Sequence, residues 1–194
     1  EISECLVGSE MCIRDRAIAN LLFQFCGMPF SDLAHLEKSN LERGLLKYNR
    51  TKTGTPMSIE VLESAQNAIG GLYNKSDARS SGYPDYLFRI LSGAYKRNEE
   101  GAYREYQSAL RRFNNELKSL SRKLRLHSPV TSYTLRHSWA TTAKYRGVPI
   151  EMISESLGHK SIKTTQIYLK GFELEERTKV NKLNYSYVCN FKML

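Results

Sequence analysis

The sequence predicts a mainly α domain with a small antiparallel β-sheet, and three features of the chain carry that prediction. From Glu99 to Leu124 the residues Tyr103, Tyr106, Leu110, Phe113, Leu117, Leu120 and Leu124 alternate steps of three and four, which lines one face of a long helix. LLKYNR (45–50) and PMSIEV (56–61) have strand character and are joined by TKTGT, where Thr53-Gly54 supplies the turn of a two- or three-stranded sheet. After Pro129 the chain breaks into short helical stretches separated by glycine and proline.

At the N-terminus, residues 1–16 (EISECLVGSEMCIRDR) fit poorly with the rest of the chain. They lack the basic start and apolar centre of a signal peptide and show no clear amphipathic pattern. LVGSEMCIRDR back-translates to a string resembling the transposon-end adapter of sequencing libraries, so 1–16 are expected to be non-native. AIANLLFQFC (17–26) reads as a buried helix closed by Gly27 and Pro29, and Ser31 is expected to cap the short turn SDLAHL. Residues 62–73 look helical, with Gly70-Gly71 weakening the end, and 74–84 read as an exposed loop. Opposite the apolar stripe of the long helix lie Arg104, Arg111, Arg112, Lys118, Arg122 and Lys123, expected as a solvated face. SYTLRHSWATTAKYR (132–146) forms one helix ended by Gly147 and Pro149. IEMISESL (150–157) stops at Gly158 as a left-handed cap, and Ser161 starts SIKTTQIYLK.

The 194 residues suit one domain, and 29 Lys and Arg against 20 Asp and Glu give a net charge of +9. That surplus favours a polyanionic partner, above all nucleic acid. No apolar run approaches the ~20 residues of a membrane span, so no membrane partner is expected. Cys5, Cys12, Cys26 and Cys189 show no paired spacing and read as free thiols of a reducing cytoplasm. His35, His127, His137 and His159 show no zinc pattern, so neither metal nor other cofactor is expected.

Two segments hold the candidate chemistry. LGHKSIKTTQIYLK (157–170) sets Tyr168 nine residues after His159, and YTLRHSWAT (133–141) holds Arg136. The first resembles the tyrosine recombinase signature of Leu-Gly-His, a short spacer and Thr-Thr-x-x-Tyr. The second resembles that family's His-x-Leu-Arg-His box. TKTGTPM is similar to the hairpin bearing the family's lysine, and CGMPFSDLAHL to the segment bearing a first arginine. All four fall in family order between about 17 and 180, so the chain resembles the catalytic domain of a phage-type integrase.

The resemblance implies a catalytic domain over 17–184, a tail over 185–194, and an absent N-terminal core-binding domain. It implies double-stranded DNA as partner, further protomers in a synaptic complex, and room for an accessory DNA-bending factor, in a bacterial cytoplasm. Tyr168 would attack DNA and form a covalent 3′-phosphotyrosine, which keeps the bond energy so that strands rejoin without ATP. Arg136 would clamp the phosphate through its two-pronged fork, and His159 would hydrogen-bond a non-bridging oxygen. Lys52 would protonate the leaving 5′ oxygen. His137 would pack beside the site. Tyr133 stands where many members have a histidine, and a phenol still makes a hydrogen bond.

Pro29 falls at the position of the first arginine and cannot bind phosphate through its side chain. Either Lys47, Arg43 or Arg50 reaches in, or the site works with one arginine. The reading is therefore a DNA-breaking and rejoining enzyme, with a catalytically degenerate DNA-binding homologue as the alternative.

Overall fold

A computed structural model of the chain describes residues 13–73, 83–126 and 128–169, together with 178. Within them the order is α1 (Ile13–Gln24), α2 (Phe30–Ala34), a 3-10 turn (Lys38–Asn40), β1 (Leu41–Glu42), β2 (Leu45–Asn49), β3 (Pro56–Glu60), α3 (Glu63–Leu72), α4 (Glu100–Lys123), α5 (Ser132–Tyr145), α6 (Ile150–Ser156) and α7 (Ile162–Tyr168). This is the expected helical domain with a small sheet.

The sheet is antiparallel in the order β1-β2-β3, with Leu46 opposite Ile59 and Lys47 opposite Ser58. Side chains alternate across a pleated strand, so Leu46 and Ile59 go to the core while Lys47 and Ser58 stay exposed. Ile18, Leu21 and Leu22 of α1 are buried, and α1 packs on α3 and α5. Phe30 of α2 stacks on Phe113 of α4 with ring centroids 5.2 Å apart, which ties the long helix to the front of the core. Burying a side chain of this size contributes about 1.5–3 kcal/mol. A second, smaller apolar cluster joins Ala140 and Ala143 of α5 to Ile153, Leu157 and Leu169, with Trp139 and Tyr168 packed against it.

Three local expectations are corrected. α1 spans Ile13–Gln24 instead of 17–26, so its first turn lies inside the stretch set apart as 1–16, and Asp15 there is buried. Ser31 caps nothing. The turn is made at Pro29, whose carbonyl accepts from Asp32 N (3.0 Å) and Leu33 N (3.1 Å), while the Ser31 hydroxyl donates to Asp32 Oδ1 (3.3 Å). On α4 the buried line runs through Ala102, Ala109, Phe113, Leu117 and Leu120, whereas Tyr103 is 63 % and Leu124 38 % exposed. A strict seven-residue repeat drifts by ~20° per heptad on a straight helix, so both ends of the stripe rotate off the core. Residues 74–82 of the expected loop and the tail beyond Leu169, Thr178 apart, lie outside the described residues.

Candidate active site

α5 starts under a reciprocal cap: Thr134 N donates to Thr131 Oγ1 (3.3 Å) and Thr131 N to Thr134 Oγ1 (3.1 Å). The cap fixes the helix start and hence which side chains face inward. Arg136 is one of them and is only 6 % exposed, in a residue type that is almost never buried without partners. Its Nη1 donates to the Gly27 carbonyl (2.8 Å) and its Nη2 to the Leu157 carbonyl (2.6 Å). Two helix ends therefore turn carbonyls toward one cation.

At the end of α1, Cys26 (φ 56°) and Gly27 (φ 65°) take left-handed conformations. A Cβ on Gly27 would lie 3.2 Å from Arg136 Cα, so this close approach requires glycine. At the end of α6, Gly158 (φ 66°) is the expected left-handed cap, and a Cβ there would run into Arg50 and Met57. Burial first, and then the neighbouring Arg50, push the Arg136 pKa down to about 10. Arg136 is thus still a cation at neutral pH.

His159 comes directly after that cap. Its Nε2 lies 3.4 Å from Arg136 Nη2 and its Nδ1 2.8 Å from the hydroxyl of Thr165, which is fully buried on α7. Burial first, then Arg136, Arg50 and Lys52, push the imidazole pKa down to about 4, so His159 is neutral at physiological pH. A hydroxyl both donates and accepts, so Thr165 serves either tautomer. Arg136 can only donate, so in the free protein Nε2 accepts from it and Nδ1–H donates to Thr165; the other tautomer, with Thr165 donating to Nδ1, presents Nε2–H to a substrate oxygen.

Tyr168 closes the group. Its ring stands edge-on to His137 (4.9 Å between centroids), Tyr133 (5.7 Å) and His159 (5.8 Å). Its Oη is buried and has no hydrogen-bond partner among the described residues, a costly position for a polar atom unless something else engages it. Burial, and next Tyr133, raise its pKa above the ordinary tyrosine value. The phenol is therefore protonated in the free protein.

The remaining expected residues sort themselves by position. Tyr133 is 62 % exposed at the start of α5, against the Tyr168 ring. His137, expected to pack beside the site, lies against the same ring. Lys52 is exposed in the β2–β3 turn, whose Thr53 hydroxyl donates to the Gly158 carbonyl (3.4 Å), so the turn is tethered next to His159. Pro29 brings no charge. Of the three basic candidates near it, Lys47 and Arg43 are exposed on the sheet and its turn, whereas Arg50 is buried and donates to Asp32 and to the Leu157 carbonyl. Thr165 is the second threonine of Thr-Thr-x-x-Tyr, but the signature does not mark it as partner of His159, and no motif marks Asp32 as a buried carboxylate or the Gly27 and Leu157 carbonyls as acceptors, because each acts through a tertiary contact.

In this mainly helical domain a buried arginine, a neutral histidine and a buried tyrosine hydroxyl thus meet beside a hairpin turn that carries a lysine. The chain belongs to the phage integrase family, whose sequence model matches residues 3–174. It is 34 % identical over 160 residues to tyrosine recombinase XerA of Pyrococcus furiosus, covering 81 % of this chain and 50 % of that one. The crystal structure of XerA recombinase superposes with a TM-score of 0.65 at 23 % identity, covering 93 % of this chain and 62 % of the other. The Tn1549 transposon integrase in complex with transposon right end DNA superposes with a TM-score of 0.62 at 14 % identity, covering 94 % and 62 %. The chain spans about half the length of the curated relatives it matches. No helix among the described residues is long and apolar enough to cross a membrane.

Proposed function

We propose that the chain is the catalytic part of a site-specific DNA recombinase that cuts and rejoins duplex DNA through Tyr168. The observation that carries this reading is the buried, unpartnered Tyr168 Oη beside His159, which in turn adjoins Arg136. In the forward step Tyr168 Oη attacks phosphorus. A phosphotyrosine bond forms at the 3′ end, the bond to the 5′ oxygen breaks, and the phenolic proton passes to solvent. The Lys52 ammonium gives its proton to the departing 5′ oxygen.

Arg136 neutralises the charge that builds on the non-bridging oxygens, and neutral His159 adds one hydrogen bond through Nε2–H. Tyr133, against the attacking ring, holds its orientation and stands where the resemblance implies a histidine. Rejoining runs the same step backward: a 5′ hydroxyl attacks the phosphotyrosine and Tyr168 recovers its proton. Neither ATP nor a metal has a step in this scheme. Further copies of the protein in a synaptic complex, and an accessory DNA-bending factor, belong to the same proposal.

The test compares cleavage and binding on a nicked duplex that carries the cognate site. Tyr168→Phe keeps the ring and its packing, so DNA binding is expected to stay within about twofold while cleavage disappears. Arg136→Lys keeps the charge without the fork and is expected to slow cleavage by about 10²-fold or more. Cleavage by Tyr168→Phe at the unmutated rate would refute the proposal. Binding without cleavage by the unmutated protein would favour the degenerate homologue.

A further inference from the structure

We infer that Thr165 is a positioning residue for the proposed chemistry: its hydroxyl brings His159 into the tautomer that donates Nε2–H when a phosphate arrives. The inference rests on the phosphate reading proposed above and gives a role to a residue outside the reacting groups. Thr165 is fully buried on α7, and its Oγ1 lies 2.8 Å from His159 Nδ1. Among the described residues the hydroxyl has no other hydrogen-bond partner. Its hydrogen therefore has one acceptor within reach, the Nδ1 lone pair.

In the free site two demands on the ring conflict. Arg136 only donates, and its Nη2 stands 3.4 Å from His159 Nε2, so it calls for a lone pair there and for the hydrogen on Nδ1. The Thr165 hydroxyl then accepts from Nδ1–H, and its own hydrogen is left buried without an acceptor, which is costly. The other tautomer reverses the fault. Thr165 donates to Nδ1, but Nε2–H then points at a guanidinium N–H. His159 is neutral at physiological pH and carries a single ring hydrogen, so it cannot serve both partners at once.

A phosphate oxygen removes the conflict. It accepts from Arg136 Nη2 and from His159 Nε2–H, while Thr165 donates its hydrogen to Nδ1. Nδ1 gives one proton to solvent and Nε2 takes one from it, so the ring stays neutral. The Arg136–His159 contact that is given up is longer than the roughly 2.7–3.2 Å of ordinary N–H bonds. The short Thr165 contact is kept, with donor and acceptor exchanged. A Thr165 that served packing alone would need no hydroxyl, since burying one costs more than burying the isosteric valine unless it is bonded.

The probe is inorganic tungstate, a tetrahedral oxyanion. The readout is the 15N NMR spectrum of the full chain with labelled histidine at about pH 8, where the ring is neutral. Nitrogen shifts separate the two tautomers. His159 is expected to carry its hydrogen on Nδ1 in the free chain and on Nε2 with tungstate bound. Thr165→Val is expected to weaken tungstate binding about tenfold or more, and Thr165→Ser, which keeps the hydroxyl, to bind within about threefold of the unmutated chain. Thr164→Val, at the exposed neighbour on the same helix, is expected to leave binding unchanged. Tungstate that moves the His159 resonances without exchanging the tautomer, or that leaves the ring doubly protonated, overturns this inference and leaves the phosphate reading standing. So does a Thr165→Val protein that binds within about twofold of the unmutated chain. Tungstate that leaves the His159 resonances in place overturns both. The tautomer arm uses the unmutated chain, so it decides even if Thr165→Val fails to fold.

Discussion

His159 shows how a site is tuned by what surrounds one ring. Its pKa is pushed from 6.5 down to about 4 by burial and by the cations around it. Neutral imidazole adds a hydrogen bond without adding to the positive charge already present. The same shift has a stability consequence of definite sign. The unfolded chain protonates near the ordinary value while the folded chain resists, so the contribution is present above about pH 6.5 and is lost as pH falls toward about 4. NMR titration of the DNA-free chain is expected to show a neutral His159 until pH is well below 6, and protonation at or above 6.5 would contradict the burial argument. Arg136, His159 and Tyr168 are each legible from short motifs, because the spacing of a loop and two short helices fixes them locally. The burial of Arg50 and Asp32 is not legible. Both look like ordinary polar residues in sequence, and only the meeting of the β2–β3 turn with the ends of α2 and α6 buries them.

At the scale of elements, the α6–α7 joint positions most of the residues of the proposed chemistry. Gly158 ends α6 in a left-handed conformation, delivers His159, and leaves room for the β2–β3 turn to press Arg50 and Met57 against it. Gly158→Ala is expected to cost about 1–2 kcal/mol from backbone conformation alone, with a further cost as Arg50 and Met57 are pushed aside. Thermal unfolding checks this, and an unchanged Tm would show that the turn does not pack as described. The hairpin, the helix start at Ser161 and the left-handed stop at Gly158 all rest on turn and cap chemistry that a few adjacent residues carry, whereas the Thr131 cap of α5 is seen only in the structure. Ser31 misleads because Pro29 already makes the turn. The ends of the α4 stripe mislead because a seven-residue repeat outruns a straight helix. The start of α1 at Ile13 escapes a reading that sets the residues before Ala17 apart by their origin, since a helical turn forms wherever the local chain permits it.

On the scale of the whole molecule, the charge surplus and the site belong to one account. A chain of net charge +9 that holds a buried cationic cluster is expected to bind duplex DNA largely through its phosphates. Affinity for an arbitrary duplex is then expected to fall steeply between roughly 50 and 200 mM salt, with log K linear in log salt. A flat dependence, read by fluorescence anisotropy, would contradict that expectation. Because the chain spans about half the length of its curated relatives, the same titration is expected to show tighter binding in a longer protein that grips a second face of the duplex. The central claim is that Tyr168 becomes covalently joined to DNA, and one measurement reaches it directly. A nicked suicide substrate traps the cleaved complex, and mass spectrometry of its peptides locates the attached nucleotide. The account predicts a phosphotyrosyl adduct on Tyr168 through a 3′ phosphate; an adduct on any other tyrosine, or on Tyr168 through a 5′ phosphate, would contradict it.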